Sequence, residues 1–365
     1  MIIRAERVQR YLEEALGKGA RLTRMSRLGA EVEEGAEEIK GYGYGEPLLL
    51  EVEVDGEARR LVLTTVRPGP FGHEFPSDRA RMLLWAHSAY NRLPRHVRSV
   101  DVGAFRRDGS LVTLGDAEEF FLVTEYVEGE EYWRDLERIR RTGELRPLDV
   151  GRAGALAGYI ADVHAVKRDD PGLYVRRIRE LLGHGEQLMG LLDSYDPSAE
   201  FLEPGELVWI EKKCVEWRWR LKKKTHRLCR VHGDFHPFGN IIFAGDLDFV
   251  VLDRSRGEWG EAADDVSAMS INYLFFSIRR YGRLHGPFER LWNTFIDRYL
   301  ELTGDEEVME VIAPFLVWRS TVVASPIWYP TLDVGVRRAI FNLIHGVLES
   351  EVFDYKGVNS YLGRA

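Results

Sequence analysis

Residues 231–243 read VHGDFHPFGNIIF, and residues 249–266 read FVVLDRSRGEWGEAADDV. In the first stretch, glycine, histidine and proline around Asp234 indicate a tight loop, and Asn240 follows a few residues later. In the second stretch, Asp253 ends an apolar strand. Carboxylate and amide oxygens are ligands that magnesium prefers alongside substrate phosphates. A carboxylate able to accept a hydroxyl proton beside such a phosphate predicts phosphoryl transfer.

Composition and charge narrow the class of protein. The chain has 365 residues, 45% hydrophobic and 30% charged, which is typical of a globular protein with two lobes. Its net charge of −9 argues against a general DNA-coating protein. Its two cysteines are too few for a disulfide framework and favour buried thiols in the cytoplasm. Because the apolar stretch 311–330 is interrupted by Arg319 and by prolines, no membrane span is predicted.

Hydrophobic patterning divides the chain into a strand-rich part and a helical part. Asp55-Gly56 is a strong hairpin signal, and a helix is predicted over residues 77–91. A helical period also places Ala5, Val8 and Leu12 on one face near the N-terminus. The strands predicted from alternation are residues 21–28, 48–54, 60–66, 97–105 and 119–126.

Beyond residue 129 the helical period dominates and is clearest from Phe288 to Leu300. One predicted hairpin, 240–243 with 249–252, interrupts it. The pattern predicts an α+β fold, with an N-terminal antiparallel-sheet lobe and a larger helical C-terminal lobe. The expected boundaries are 1–127 and 128–365, with a hinge near 124–129, a catalytic loop at 231–243 and a metal-binding segment at 249–266.

These motifs resemble those of the aminoglycoside phosphotransferase family, the small-molecule branch of the protein-kinase-like fold. His232, Gly233 and Asp234 match its His-Gly-Asp loop, and Asp253 matches its metal-binding aspartate. Gly260 and Asp265 follow at the family's spacing of seven and twelve residues. Residues 155–167 resemble the family's helix that ends in histidine, and residues 121–129 resemble its adenine-contacting strand and hinge.

The resemblance implies a role for each matching residue. Asp234 would orient or deprotonate a substrate hydroxyl, and Asn240 and Asp253 would hold Mg²⁺. His232 would brace the loop, and His236 would sit near the transferred phosphate. Asp265 would tie the loop together through backbone hydrogen bonds. The implied adenine contacts are Glu125, Tyr126 and Val127.

Two departures from the family pattern concern the metal site and the phosphate-binding cation. Five residues separate Asp234 from Asn240 where the family has four, and a bulge at Phe238-Gly239 would absorb the extra one. Thr64 stands where the family has Lys or Arg on the third strand. The candidate replacements are Arg67 and Lys40, the latter before a Gly-Tyr-Gly-Tyr-Gly stretch that is either a flap over phosphates or a plain loop.

Two further positions also depart from the family. Asp78 is the counterpart of the family's helix glutamate, and Arg254 replaces a common aromatic residue. Arg254 either contacts phosphate or pairs with a surface glutamate.

Three functions follow as alternatives. The first is a kinase that uses ATP, or GTP, with Mg²⁺ to phosphorylate a small hydroxylated molecule, as a monomer or homodimer. The second is a pseudokinase or nucleotide-binding regulator, which Thr64 and the stretched loop favour. The third is a kinase acting on a protein or nucleic acid, which only the basic segment 212–230 favours. That segment is more typical of an exposed helix face with its tryptophans turned inward, so a nucleic-acid partner is not expected.

Overall fold

The computed structural model describes residues 3–27, 47–69 and 72–363. Two compact units divide the chain, Met1–Thr124 and Glu125–Ala365. The helices are α1 Ala5–Leu16, α2 Pro76–Tyr90, α3 Trp133–Thr142, α4 Pro147–His164, α5 Pro171–Gly183, α6 Leu188–Leu192, α7 Glu206–Leu221, α8 Ala262–Tyr281, α9 Pro287–Thr303, α10 Val308–Val311, α11 Ala313–Ala324, α12 Val334–Glu349 and α13 Asn359–Leu362. The strands are β1 Arg21–Arg27, β2 Leu48–Val54, β3 Glu57–Leu63, β4 Gly103–Phe105, β5 Leu111–Thr113, β6 Glu130–Glu131, β7 Cys229–Arg230, β8 Ile241–Phe243, β9 Phe249–Val251 and β10 Trp259–Gly260.

An antiparallel sheet with the order β1-β2-β3 is the centre of the first unit. The Asp55-Gly56 turn joins β2 to β3, and both residues have positive φ, 52° and 86°. Positive φ at both central positions is the geometry that twisted hairpins favour. Helix α1 covers the sheet, so Val8 and Leu12 share a core with Leu50 and its neighbours on β2. This part of the sequence prediction is confirmed.

The predicted strand over residues 119–126 is wrong. In the described chain this segment has no strand partner, and Phe121, Leu122 and Val123 are at least 80% exposed. A strand needs the backbone groups of a neighbour, and local β propensity cannot supply them. For the same reason, only Gly103–Phe105 of the predicted strand 97–105 is paired, in a hairpin with β5.

Helix α2 forms where the sequence predicts one, but its packing differs from the expected pattern. The carboxylate of Asp78 accepts a hydrogen bond from the Phe75 backbone at 2.8 Å and so caps the first turn. Within the described part of the chain no α2 side chain is buried, and Trp85 is 67% exposed. The apolar stripe on this helix therefore has no core beneath it in the first unit taken alone.

The second unit is helical and is built around α8. Every residue of α8 from 262 to 278 is buried, because α3, α9 and α11 pack against it. Helix α4 packs on α9, whose buried stripe follows the predicted period. The small sheet β6-β8-β9 contains the predicted hairpin, with Ile241 opposite Val251. These elements hold both ends of the loop 231–240 in place.

Two expectations from composition concern this fold as well. Cys214 and Cys229 are free and buried, as predicted. Among the residues that the model describes, none of the helices combines the length and the apolar character that crossing a bilayer requires.

Candidate active site

The loop that carries Asp234 is anchored by a buried carboxylate on α8. Asp265 accepts hydrogen bonds from the backbone N–H groups of His232 and Gly233, each at 2.8 Å. His164, at the end of α4, lies 3.1 Å from the same carboxylate through Nε2. Burial opposes ionisation of Asp265, but His164 and His232 lower its pKa. The backbone ties predicted for Asp265 are therefore present, and an acidic group in the first turn of α8 also suits the helix dipole.

His232 braces this loop from inside. It is 3% exposed, and its Nδ1 accepts a hydrogen bond from the Asp234 backbone at 3.2 Å. Burial lowers its pKa, which favours the neutral ring that this contact requires. Gly233, between the two, has a φ of 88°, a left-handed conformation that glycine adopts without strain.

Asp234 is a buried carboxylate with a cationic group facing each oxygen. Oδ1 accepts a hydrogen bond from Arg319 at 2.5 Å. Oδ2 lies 3.6 Å from His236 Nε2 and 3.5 Å from Arg256 Nε. Burial raises the pKa of Asp234, but the charge of Arg319, together with His236 and Arg256, more than offsets it and holds the pKa well below its usual range. Asp234 is therefore ionised.

Arg319 is the residue that sequence reasoning missed. It lies on α11, is 5% exposed, and also donates to the Gly233 carbonyl at 3.0 Å and to Asp264 at 2.7 Å. In the sequence, Arg319 stands out only as an interruption of an apolar stretch. That interruption was itself a signal, because a charge inside a buried helix requires carboxylate partners. Burial raises the pKa of Asp264 in spite of Arg319.

Asn240 and Asp253 lie at one end of the β8-β9 hairpin. The Asn240 carbonyl accepts the Leu252 N–H at 2.9 Å, which places Asp253 immediately beyond the pair. The Asn240 amide donates to the Asp234 carbonyl at 2.8 Å. Gly239 has a φ of 77°, the unusual backbone angle expected where the loop has an extra residue.

The oxygen donors at this end of the hairpin fit magnesium. Among the described residues no group of three or more His, Cys, Asp or Glu side chains could hold a metal ion. One amide and one exposed carboxylate are nevertheless a donor set that Mg²⁺ accepts, because it keeps several waters and binds substrate phosphates. The residues therefore fit the implied ion.

An aromatic wall flanks this loop beyond His236. His236 Nδ1 accepts the Phe238 N–H at 3.1 Å, and its Nε2 lies 3.2 Å from the Asn240 amide nitrogen. The Phe238 ring stacks on Trp133 and Phe276, and the Tyr329 ring meets its edge at 6.3 Å. Phe238, on the loop that carries the candidate catalytic carboxylate, is therefore packed among three other aromatic rings.

Arg254 has a structural position that neither sequence interpretation anticipated. Its guanidinium donates to the Val231 carbonyl, at 3.0 and 2.8 Å, and to the Glu258 carbonyl at 3.2 Å. It therefore holds two backbone segments together, and these hydrogen bonds go to neither a phosphate nor a glutamate side chain.

The residues expected to bind the nucleotide belong to other parts of the chain. Thr64 and Arg67 are exposed in the segment that follows β3. Lys40 and the glycine-rich stretch after it lie outside the described residues. Glu125 and Tyr126 are exposed and Val127 is half-buried, in a segment without regular structure.

The basic segment 212–230 covers the end of α7 and the turns that follow it, and several of its basic side chains are ion-paired within the protein. Lys224 contacts Glu307 and Glu310, and Arg227 is buried against three carboxylates. Trp217 is buried and donates to the Leu348 carbonyl at 3.2 Å, as predicted. Trp219 is 58% exposed, so the prediction that both tryptophans turn inward is wrong for this one. Lys222 covers its ring instead, 3.8 Å from the centroid.

Comparison with known proteins identifies the family. The sequence model of the phosphotransferase enzyme family (APH) matches residues 50–310, and the chain belongs to this family. A comparison with curated protein sequences gives no significant match.

The chain is also similar to solved structures of kinases. A glucosamine kinase shares 15% identity over 90% of this chain and 94% of its own, with a TM-score of 0.41. Plasmodium vivax ethanolamine kinase shares 14% identity over 87% and 78%, with a TM-score of 0.35. The aminoglycoside phosphotransferase APH(2'')-IIa in complex with gentamicin shares 12% identity over 99% and 96%, with a TM-score of 0.31.

Proposed function

We propose that this protein is an ATP-dependent kinase that transfers the γ-phosphate to a hydroxyl of a small molecule. In this reaction the acceptor oxygen forms a bond to the γ-phosphorus as the bond from phosphorus to the β,γ-bridging oxygen breaks, and the hydroxyl proton is released. Family membership supports phosphoryl transfer. The observation that carries the proposal is the Asp234 carboxylate, fixed by Arg319 on one oxygen and lying on the same loop as Asn240.

The environment of Asp234 defines what it does in the reaction. A carboxylate whose pKa lies well below its usual range is a weak base but a permanent hydrogen-bond acceptor. It would therefore orient the acceptor hydroxyl through Oδ2 and take its proton late, as the new oxygen–phosphorus bond forms. Positioning of this kind is the main contribution that proteins make to phosphoryl transfer.

The ion and nucleotide have proposed partners too. Asn240 and Asp253 would hold Mg²⁺, which neutralises charge on the phosphates when bound. Glu125, Tyr126 and Val127 would meet the base of ATP, or of GTP. Thr64 carries no charge, so Arg67 is the first proposed phosphate-binding cation and Lys40 the second.

Replacement of Asp234 tests the function directly. Asp234→Asn should reduce turnover by ~10²–10⁴-fold with the fold retained, because it removes a proton acceptor and not a packing group. ADP release would be followed with magnesium-ATP and a panel of hydroxylated acceptors. Asp162→Asn, at an exposed position on α4, is the matched control. Near wild-type turnover in Asp234→Asn would contradict the assignment.

The nucleotide assignment gives a second measurement. Arg67→Ala should weaken magnesium-ATP binding more than Thr64→Ala, because a guanidinium binds phosphate oxygens and a threonine carries no charge. Lys40→Ala should be intermediate or silent. Calorimetric titration of the three variants compares them, and equal affinities would place the phosphate-binding cation elsewhere.

The second candidate function is a nucleotide-binding regulator without turnover. The neutral Thr64 and the extra residue before Asn240 favour it. It requires that magnesium-ATP raise the melting temperature while no acceptor is phosphorylated.

A further inference from the structure

The acceptor-facing side of Asp234 carries positive charge. Asp234 Oδ2 lies 3.5 Å from Arg256 and 3.6 Å from His236, while Arg319 occupies Oδ1. A hydroxyl oriented by Oδ2 brings its neighbouring carbon substituents within a few ångströms of the positively charged Arg256 guanidinium. Like charges at that separation repel strongly in a partly buried site.

The two carboxylates of α8 beside this loop, Asp264 and Asp265, do not compensate for that charge. Asp264 is 7% exposed and already binds Arg319 at 2.7 Å. Asp265 is fully buried and is occupied by His164 and two backbone N–H groups. Neither has the free, accessible oxygens that would be needed to bind an incoming ammonium group.

In the described part of the chain, two buried N–H groups next to the Arg319–Asp234 ion pair make no hydrogen bond, although one of them, Arg256 Nε, is ion-paired with Asp234. Within residues 3–27, 47–69 and 72–363, the Nε of Arg256 and the indole Nε1 of Trp318 are buried and have no hydrogen-bond partner. The Arg256 guanidinium lies over the Trp318 ring, 4.8 Å from its centroid, and donates to the Glu186 carbonyl at 3.3 Å. The Arg319 guanidinium lies 3.7 Å from the same centroid. Buried donors that lack partners are complementary to ligand oxygens and not to ligand ammonium groups.

We propose that the acceptor is a neutral or anionic hydroxyl compound, such as a polyol, a sugar or a hydroxy acid, and that Arg256 selects against an ammonium group beside the reacting hydroxyl. This proposal rests on the proposed function. Magnesium and the nucleotide phosphates are the same for every acceptor, so discrimination among acceptors depends on protein groups such as Arg256.

Two series of matched acceptors test the proposal with the full-length protein. The three-carbon series is 2-amino-1,3-propanediol, glycerol and glycerate, and the six-carbon series is glucosamine, glucose and gluconate. ADP release with magnesium-ATP gives kcat/KM for each. In at least one series the neutral or anionic member should exceed the amine at least tenfold. Arg256→Gln should raise the kcat/KM of the amine relative to that of the neutral or anionic member, and so reduce the preference. The control Arg290→Gln, at an exposed position on α9, should leave the preference unchanged.

Each other outcome overturns the proposal. An amine preferred in both series contradicts it, as does an Arg256→Gln variant that raises the KM for ATP without changing the acceptor ratio. If no acceptor is phosphorylated but slow ATP hydrolysis still depends on Asp234, the acceptor class is wrong and the kinase function stands. If hydrolysis is also indifferent to Asp234→Asn, the kinase function itself fails.

Discussion

Two buried arginines in the second unit, Arg227 and Arg319, differ in how completely they are partnered. Both are 5% exposed. Every nitrogen of the Arg227 guanidinium hydrogen-bonds to a carboxylate of Glu261, Asp305 or Glu307. The Nε of Arg319, in contrast, has no partner among the described residues. One guanidinium is saturated by the protein, and the other is not.

The carboxylates of the two clusters differ in the same sense. The Glu261 side chain is fully buried, and it also accepts a hydrogen bond from Tyr174 at 2.8 Å. The Asp234 side chain keeps 10% exposure. A closed ion pair serves the fold, whereas an ion pair with an accessible oxygen and a spare donor is suited to a ligand. Hydrogen-bond saturation and exposure therefore distinguish the structural cluster at Arg227 from the candidate active site at Arg319, and no sequence motif is needed.

The largest effect on stability is expected from breaking the saturated cluster. Arg227→Met should lower the free energy of unfolding by ~3–5 kcal/mol, because it leaves Glu261 buried and uncompensated. Turnover per folded molecule should not change. Urea denaturation measures the loss, with Arg298→Met as the control because its pair with Glu301 is exposed and worth under ~1 kcal/mol. A loss as small as that of the control would show that the cluster is not essential to the fold.

A smaller effect, and one on turnover, is expected at Arg319. Arg319→Lys keeps the charge but loses the planar fork that reaches Asp234, Asp264 and the Gly233 carbonyl together. Misplacement of Asp234 by about 1 Å should lower kcat ~10²-fold with little change in the KM for ATP. Equal losses of kcat and stability in Arg319→Lys and Arg227→Lys would remove the distinction between the clusters.

The smallest effect is expected on the pH dependence of stability, at Glu307, the most exposed carboxylate that pairs with Arg227. Burial opposes ionisation of Glu307, but hydrogen bonds from Lys224, His226 and Arg227 lower its pKa from 4.5 to about 2. A depressed carboxyl pKa stabilises the fold above pH 4.5, and this contribution is lost as the pH falls through about 2. Glu307→Gln should therefore flatten the decline of stability between these values. The side chain is 29% exposed, so the difference at pH 7 should be under ~1 kcal/mol.

Unfolding curves of Glu307→Gln and wild type at pH 6, 4 and 3 measure that decline. A difference that is constant across the three values would contradict the assigned pKa.

Local patterns were enough to predict much of this fold. The 3.6-residue period located α1 and α9, and turn chemistry located both hairpins. The anchoring of residues 232–233 by Asp265 was implied by the resemblance to the family, whose motif has a fixed spacing. In each case the determining interactions lie within a short segment or within a motif of fixed spacing.

The predictions that failed depend instead on contacts between residues that are distant in the sequence. The strand predicted over 119–126 depended on a neighbouring strand that its own sequence does not encode. Arg319 reaches Asp234 across 85 positions in the chain, and no periodicity connects them. Whether a charge in an apolar helix meets a carboxylate depends on tertiary packing, so the sequence predicted the candidate catalytic aspartate but not the arginine that binds it.

The backbone of Asp253 has an evolutionary consequence. Its φ is 55°, in the left-handed region, where a residue with a Cβ costs roughly 1 kcal/mol more than glycine. A chain selected for stability alone would drift toward glycine here, since glycine relieves the cost and the side chain is exposed. With the metal-binding role proposed for Asp253, a carboxylate at such a position exchanges folding free energy for chemistry. Asp253→Gly should therefore raise the melting temperature and lower activity, because both effects come from removal of the same side chain.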